Sequence, residues 1–145
     1  MGHIRFLSAF KSSPQHLMDH YSPDQAPAEI NYDPATGVAY LSYEGAVSAA
    51  GLSAAHEALH GLLNGRTIIA LVIDVRRSTP AYSAAELLDA MENCVADWPL
   101  ERVALVTEAV RERLVMLMET VGFPQGVRVR AFADAAAARR FAAGV

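Results

Sequence analysis

Short apolar runs alternate with stretches of helical spacing along most of this chain, and no other feature limits its fold as much. The strictest run, Ile68–Ile73, is six apolar residues stopped by Asp74, the pattern of a strand covered on both faces. Val103–Val106 reads as a shorter buried strand. Val127, Val129 and Ala131 alternate with Arg128, Arg130 and Phe132, as in a half-exposed outer strand. Upstream, Glu29–Tyr32 and Val38–Glu44 read as strands joined through Asp33-Pro34-Ala35-Thr36-Gly37. Helical segments fill the intervals. Ser48–Asn64 puts Leu52, Ala55, Leu59 and Leu63 on one face, with Gly65 as its stop. Ser83 and Glu86 make a capping box for a helix carrying Leu87, Leu88, Met91, Cys94, Val95 and Trp98, which Pro99 ends. Thr107 caps a helix with Val110, Leu114, Leu117, Met118 and Val121 that stops at Gly122. Asp134 caps the last one, apolar on Ala137, Ala138, Phe141 and Ala142. The order ββα-βα-βα-βα predicts an α/β fold: a single-wound, mostly parallel five-stranded sheet with an antiparallel first strand.

The 145 residues suit one domain. Residues 1–28, punctuated by Ser12, Ser13, Pro14, Pro23 and Pro27, read as an N-terminal extension, with a short strand around Ile4–Leu7 and a helical turn near Gln15–His20. Residues 29–145 form the domain proper. Crossover helices of one hand gather on one side of such a sheet, yet Ile68–Ile73 and Val103–Val106 are apolar on both faces. Residues 1–28 or a second subunit should cover the other side, so a homodimer with the extension in its contact is expected. A net charge of −4 offers no field for nucleic acid. The longest apolar run falls far short of the roughly 20 residues a membrane span needs, and no continuous apolar leader opens the chain. A single cysteine excludes a disulfide framework. The expected location is the cytoplasm.

Asp33-Pro34, Gly37-Val38-Ala39-Tyr40-Leu41 and Glu44-Gly45 resemble the opening hairpin of the SpoIIAA-like branch of STAS domains. Leu71-Val72-Ile73-Asp74-Val75-Arg76 is similar to that branch's central strand and following turn. Glu101-Arg102-Val103-Ala104-Leu105-Val106, Val127-Arg128-Val129-Arg130-Ala131-Phe132-Ala133-Asp134 and Ala137-Ala138-Arg139-Arg140-Phe141 look like its closing half. The resemblance implies a single-wound β/α domain related to phospho-regulated anti-anti-sigma factors and to CRAL-TRIO lipid-transfer domains, with no agreed activity. Anti-anti-sigma proteins present a phosphorylatable serine in an Asp-Ser-x-Gly turn. Here the matching segment runs Asp74-Val75-Arg76-Arg77-Ser78-Thr79-Pro80, with the hydroxyls displaced and the glycine absent, so the phospho-switch is not expected.

Open parallel sheets bind ligands at the carboxyl ends of their strands. Glu44, Ser48, Asp74, Arg76, Ser78, Thr79, Tyr82, Thr107, Glu108 and Asp134 fall there, and Asp74, Arg76, Ser78, Tyr82 and Thr107 are the candidate ligand contacts. Helix N-termini at Ser83 and Thr107 suit an anionic head group. The main reading is therefore a non-enzymatic module that binds a protein partner or a small amphiphilic or anionic ligand, with no cofactor. The alternative is a zinc-dependent hydrolase. His56-Glu57-Ala58-Leu59-His60 spells H-E-x-x-H on a helix, in which two histidines share a face and the glutamate serves as base. A third ligand is needed. Arg66 stands where a third histidine would, and Glu86 is the one downstream carboxylate that suggests itself. The histidines lie roughly 40° and 80° from the apolar stripe, which reads as a flank facing solvent, without a cleft. The arginine pairs Arg128/Arg130 and Arg139/Arg140 read as guards of an exposed sheet edge. Cys94, between Met91 and Trp98 on an apolar stripe, reads as inert core.

Overall fold

The computed structural model describes Pro27, residues 29–108 and residues 112–145. The expectations for Ile4–Leu7, for Gln15–His20 and for a dimer contact by the extension lie outside the described residues. The strands are β1 (Glu29–Asp33), β2 (Val38–Val47), β3 (Ala70–Pro80), β4 (Arg102–Val106) and β5 (Arg128–Phe132). The helices are α1 (Ala49–Leu63), α2 (Ala84–Asp97), α3 (Glu112–Gly122, continued by a 3-10 turn at Phe123–Gln125) and α4 (Ala135–Ala142). One five-stranded sheet runs in the order β1-β2-β3-β4-β5, with β1 antiparallel to β2 and the remaining neighbours parallel. This is the expected α/β class. The β1–β2 turn closes because Gly37 takes φ +74° and its N–H donates to Asp33 O at 2.8 Å, while the Asp33 carboxylate accepts from the Ala35 N–H.

Local polar groups end the helices as the sequence indicates. The Ser48 side chain accepts from the Gly51 N–H, Ser83 and Glu86 close a reciprocal capping box, and Asp134 accepts from Ala136 and Ala137. Asn64 adopts the left-handed conformation at the end of α1 (φ 49°), ahead of Gly65. Thr107 precedes Ala109–Arg111, which lie outside the described residues together with the junction to α3.

β2 and β3 run further than the apolar pattern shows. Residues 74–80 do not form a turn after the strand; they continue β3, pairing Arg77 through Pro80 with Glu44 through Val47. The register shifts between Ser42 and Glu44, so β3 carries one extra residue. At that bulge Asp74 Oδ1 accepts from the Arg76 N–H at 3.0 Å, and the Ser78 hydroxyl donates to Val75 O at 3.0 Å. Backbone groups freed by the bulge thus find partners. Charges, hydroxyls and a proline hid the strand, because this part of the ribbon is paired through its backbone without being buried on both sides.

The two sheet faces have different covers. One carries Ile30, Leu41, Leu71, Val103, Leu105 and Val129 against Leu59, Leu63, Leu87, Met91 and Met118 of α1, α2 and α3. The other carries Val38, Ala70, Val72, Ala104 and Val106 against Ala138 and Ala142 of α4. The cover of the second face is therefore the last helix of the same chain. α4 packs on the side of the sheet opposite α1, α2 and α3. The packing argument for a homodimer falls with this observation.

Candidate functional site

Between the first face and helices α1 and α2 the large side chains leave an apolar cleft of about 80 Å³. Leu41, Leu71 and Leu105 form its floor, Leu52, Ala55 and His56 one wall, and Ala90, Met91 and Cys94 the other. Val47, Val75, Ser78 and Tyr82, toward the carboxyl ends of β2 and β3, also line it. Leu52, His56 and Ala90 also line a second, polar groove of about 340 Å³ on the outside of the α1–α2 seam. Ser53, Glu57, Glu86, Asp89 and Asn93 complete that groove. An apolar slot therefore adjoins a carboxylate-rich trough, with neither lysine nor arginine among the described residues that line them.

The five candidate contacts do not converge. Ser78 and Tyr82 reach the cleft. Asp74 stands in register with Val106, a residue of the second face, because successive strand residues point to opposite sides. It holds Arg76 in a forked pair, with Nη2 to Oδ2 at 2.7 Å and Nε to Oδ1 at 3.0 Å. Burial pushes the Asp74 carboxyl up, but the hydrogen bonds from Arg76 and the charges of Arg76 and Arg77 outweigh it and hold it below its ordinary value. Thr107 is buried and ties β4 to β5 through its N–H, which donates to Phe132 O at 2.9 Å. Among the remaining rim residues, Glu44 pairs with Arg77 at 3.2 Å, and Ser48 and Asp134 are caps.

The flank of α1 does not simply face solvent: the last turn of α2 lies against it. Asp97 Oδ2 stands 2.7 Å from His56 Nε2 and 2.8 Å from His60 Nε2, and Trp98 packs against both imidazoles with ring centroids 5.2 and 4.7 Å away. Sequence reading missed Asp97, which is 37 residues from His60. Its position held one signal. An acid in the last turn of a helix opposes the helix dipole, so it calls for a compensating partner. Glu86, the carboxylate that suggested itself, belongs to the capping box and the groove. The hydrogen bond from His60 holds the Asp97 carboxyl below its ordinary value, burial opposes that, and the nearby His56 ring adds to it.

Cys94 lines the cleft from α2, and burial, reinforced by Asp97, pushes its thiol up to about 12. It stays a thiol at neutral pH and is a poor nucleophile. On the second face the guanidiniums of Arg128 and Arg130 lie over the Phe141 ring at 5.3 and 5.4 Å, and that of Arg139 lies over Tyr40 at 4.7 Å. Each is a cation over an aromatic face.

No family model matches the chain, and no curated protein matches it in sequence. Among solved structures it is similar to an uncharacterized protein of the DUF3478 family with a SpoIIAA-like fold, from Shewanella loihica PV-4. The two share 15% identity over 72% of this chain and 82% of that one, with a TM-score of 0.51. The chain thus has the SpoIIAA-like, STAS-type α/β fold that the order of its motifs implies. No helix among the described residues is long and apolar enough to cross a membrane.

Proposed function

We propose that this domain is a non-enzymatic binding module for a small amphiphile whose apolar end enters the cleft between the sheet and α1–α2 and whose polar end lies in the adjoining groove. The observation that carries this reading is that Leu52, His56 and Ala90 line both spaces, which therefore lie side by side. A pocket of mostly apolar lining with a few polar groups at one end is the usual form of a small-molecule site. On a scale where one water occupies about 10–15 Å³, the cleft takes a short alkyl end rather than a full acyl chain. Glu57, Glu86 and Asp89 in the groove disfavour an anionic head and favour a neutral or cationic one. A flat docking face for a protein partner has less support, since Met116 and Val145 are the exposed large apolar residues among those described.

Short straight-chain trimethylammonium, alcohol and carboxylate compounds of equal chain length test the reading by thermal shift. The cationic and neutral members should raise the melting temperature and the carboxylates should not. Ala90→Leu, which fills the shared wall, should abolish the shift. Equal shifts from all three head groups, or a shift that survives Ala90→Leu, would count against the site.

A further inference from the structure

We propose that His56, His60 and Asp97 bind one divalent transition-metal ion that joins α1 to the end of α2. Three potential ligand atoms, two imidazole nitrogens and a carboxylate oxygen, lie within 4.8 Å of one another. The i, i+4 spacing of the histidines puts both on one flank of α1, and the third donor comes from a different element, so an ion would bridge two helices rather than decorate one. His56 Nε2 is buried and lies 2.7 Å from the Asp97 oxygen, yet it lacks the alignment that a hydrogen bond requires. A buried ring nitrogen left in that state is costly, and a metal bond satisfies it. Trp98 packs beside both rings and limits their motion, an apolar shell of the kind that supports metal ligands.

The donor set selects the class of ion. Two imidazoles and one carboxylate suit zinc, cobalt, nickel or copper better than magnesium or calcium, which prefer all-oxygen shells. Bonds of about 2.0–2.2 Å place neighbouring donors of a tetrahedron roughly 3.3 Å apart. Binding therefore draws Asp97 Oδ2 back from the two nitrogens by about half an ångström and brings the two nitrogens closer together. The Asp97 and His60 side chains are 37% and 50% exposed and have room to make that adjustment. Three protein donors leave a fourth position for water. This inference stands independently of the cleft reading, because neither an apolar ligand nor its head group takes part in it.

Zn²⁺ alone, titrated calorimetrically into the full chain, should bind at one ion per chain and raise the melting temperature. Co²⁺, a paramagnetic probe, should quench the fluorescence of Trp98, the chain's single tryptophan, at the same stoichiometry. Asp97→Asn and His60→Ala should each weaken Zn²⁺ binding at least tenfold and reduce the Co²⁺ quench, while Glu92→Gln, at an exposed position outside both spaces, leaves both unchanged. His3, His16 and His20 lie outside the described residues, so the variants, rather than binding as such, assign the site. Absence of heat and quench at a tenfold excess of ion would overturn the proposal. So would undiminished affinity in the Asp97→Asn/His60→Ala double variant, which would place the ion on other groups.

Discussion

Beneath α4 the sheet presents Val38, Ala70, Val72, Ala104 and Val106, and the helix meets them with Ala138 and Ala142, both at 0% exposure. Beneath α1 and α2 the same strands present Leu41, Leu71 and Leu105, met by Leu59, Leu87 and Met91 around a cleft. Small side chains let a helix approach closely and leave no gap. Long, branched and flexible ones hold helices further out, and their irregular shapes do not fill every space. The difference teaches where a binding function can reside in this fold: the loosely fitted face carries both the cleft and the histidine cluster, while the close-packed face only holds the sheet in place.

The comparison can be broken by substitution. Leu71→Ala, at the floor of the cleft and 1% exposed, should cost about 2–5 kcal/mol in urea unfolding. A cost below about 1 kcal/mol would mean that the first face is too loose to register a lost side chain. Ala138→Leu on the second face should cost about 1–3 kcal/mol, because Ala138 is fully buried against the sheet and the added atoms overpack it. Ala90→Leu at the cleft wall should cost less than that, since space is available. Equal penalties at the two positions would erase the contrast between the faces.

The smallest effect concerns Asp74 and Arg76, a half-exposed pair on the second side of β3. Asp74→Asn should lower stability at neutral pH by no more than about 1 kcal/mol, since solvent screens the pair. The sign follows from the lowered carboxyl: its contribution is present above the ordinary value of 3.8 and is lost as pH falls through the folded-state value. Urea unfolding of the two proteins across pH 2–7 should therefore converge in acid, and a difference that widens there would exclude this assignment.

Much of the fold was legible because strands and helices of this kind carry their own periodicity. Ile68–Ile73, the Ser83–Glu86 box and the Val127–Phe132 alternation each identify an element without reference to any other. The extension of β3 over residues 74–80 was not legible, since a ribbon held by backbone pairing needs no apolar run. Two of the three members of the histidine cluster were visible as His56 and His60, while Asp97 was hidden by its distance along the chain.

By itself the sequence determined the order of elements, the caps of α1, α2 and α4, the parallel sheet and the existence of two apolar faces, because local spacing and burial pattern encode all of these. Tertiary structure alone decided that α4 covers the second face, that Ser78 and Tyr82 part company with Asp74 and Arg76, and that Asp97 meets the two histidines. Those outcomes depend on how elements far apart in the chain approach one another. Such approaches are set by side-chain volume and strand alternation acting across the whole core, and no local window of residues contains them.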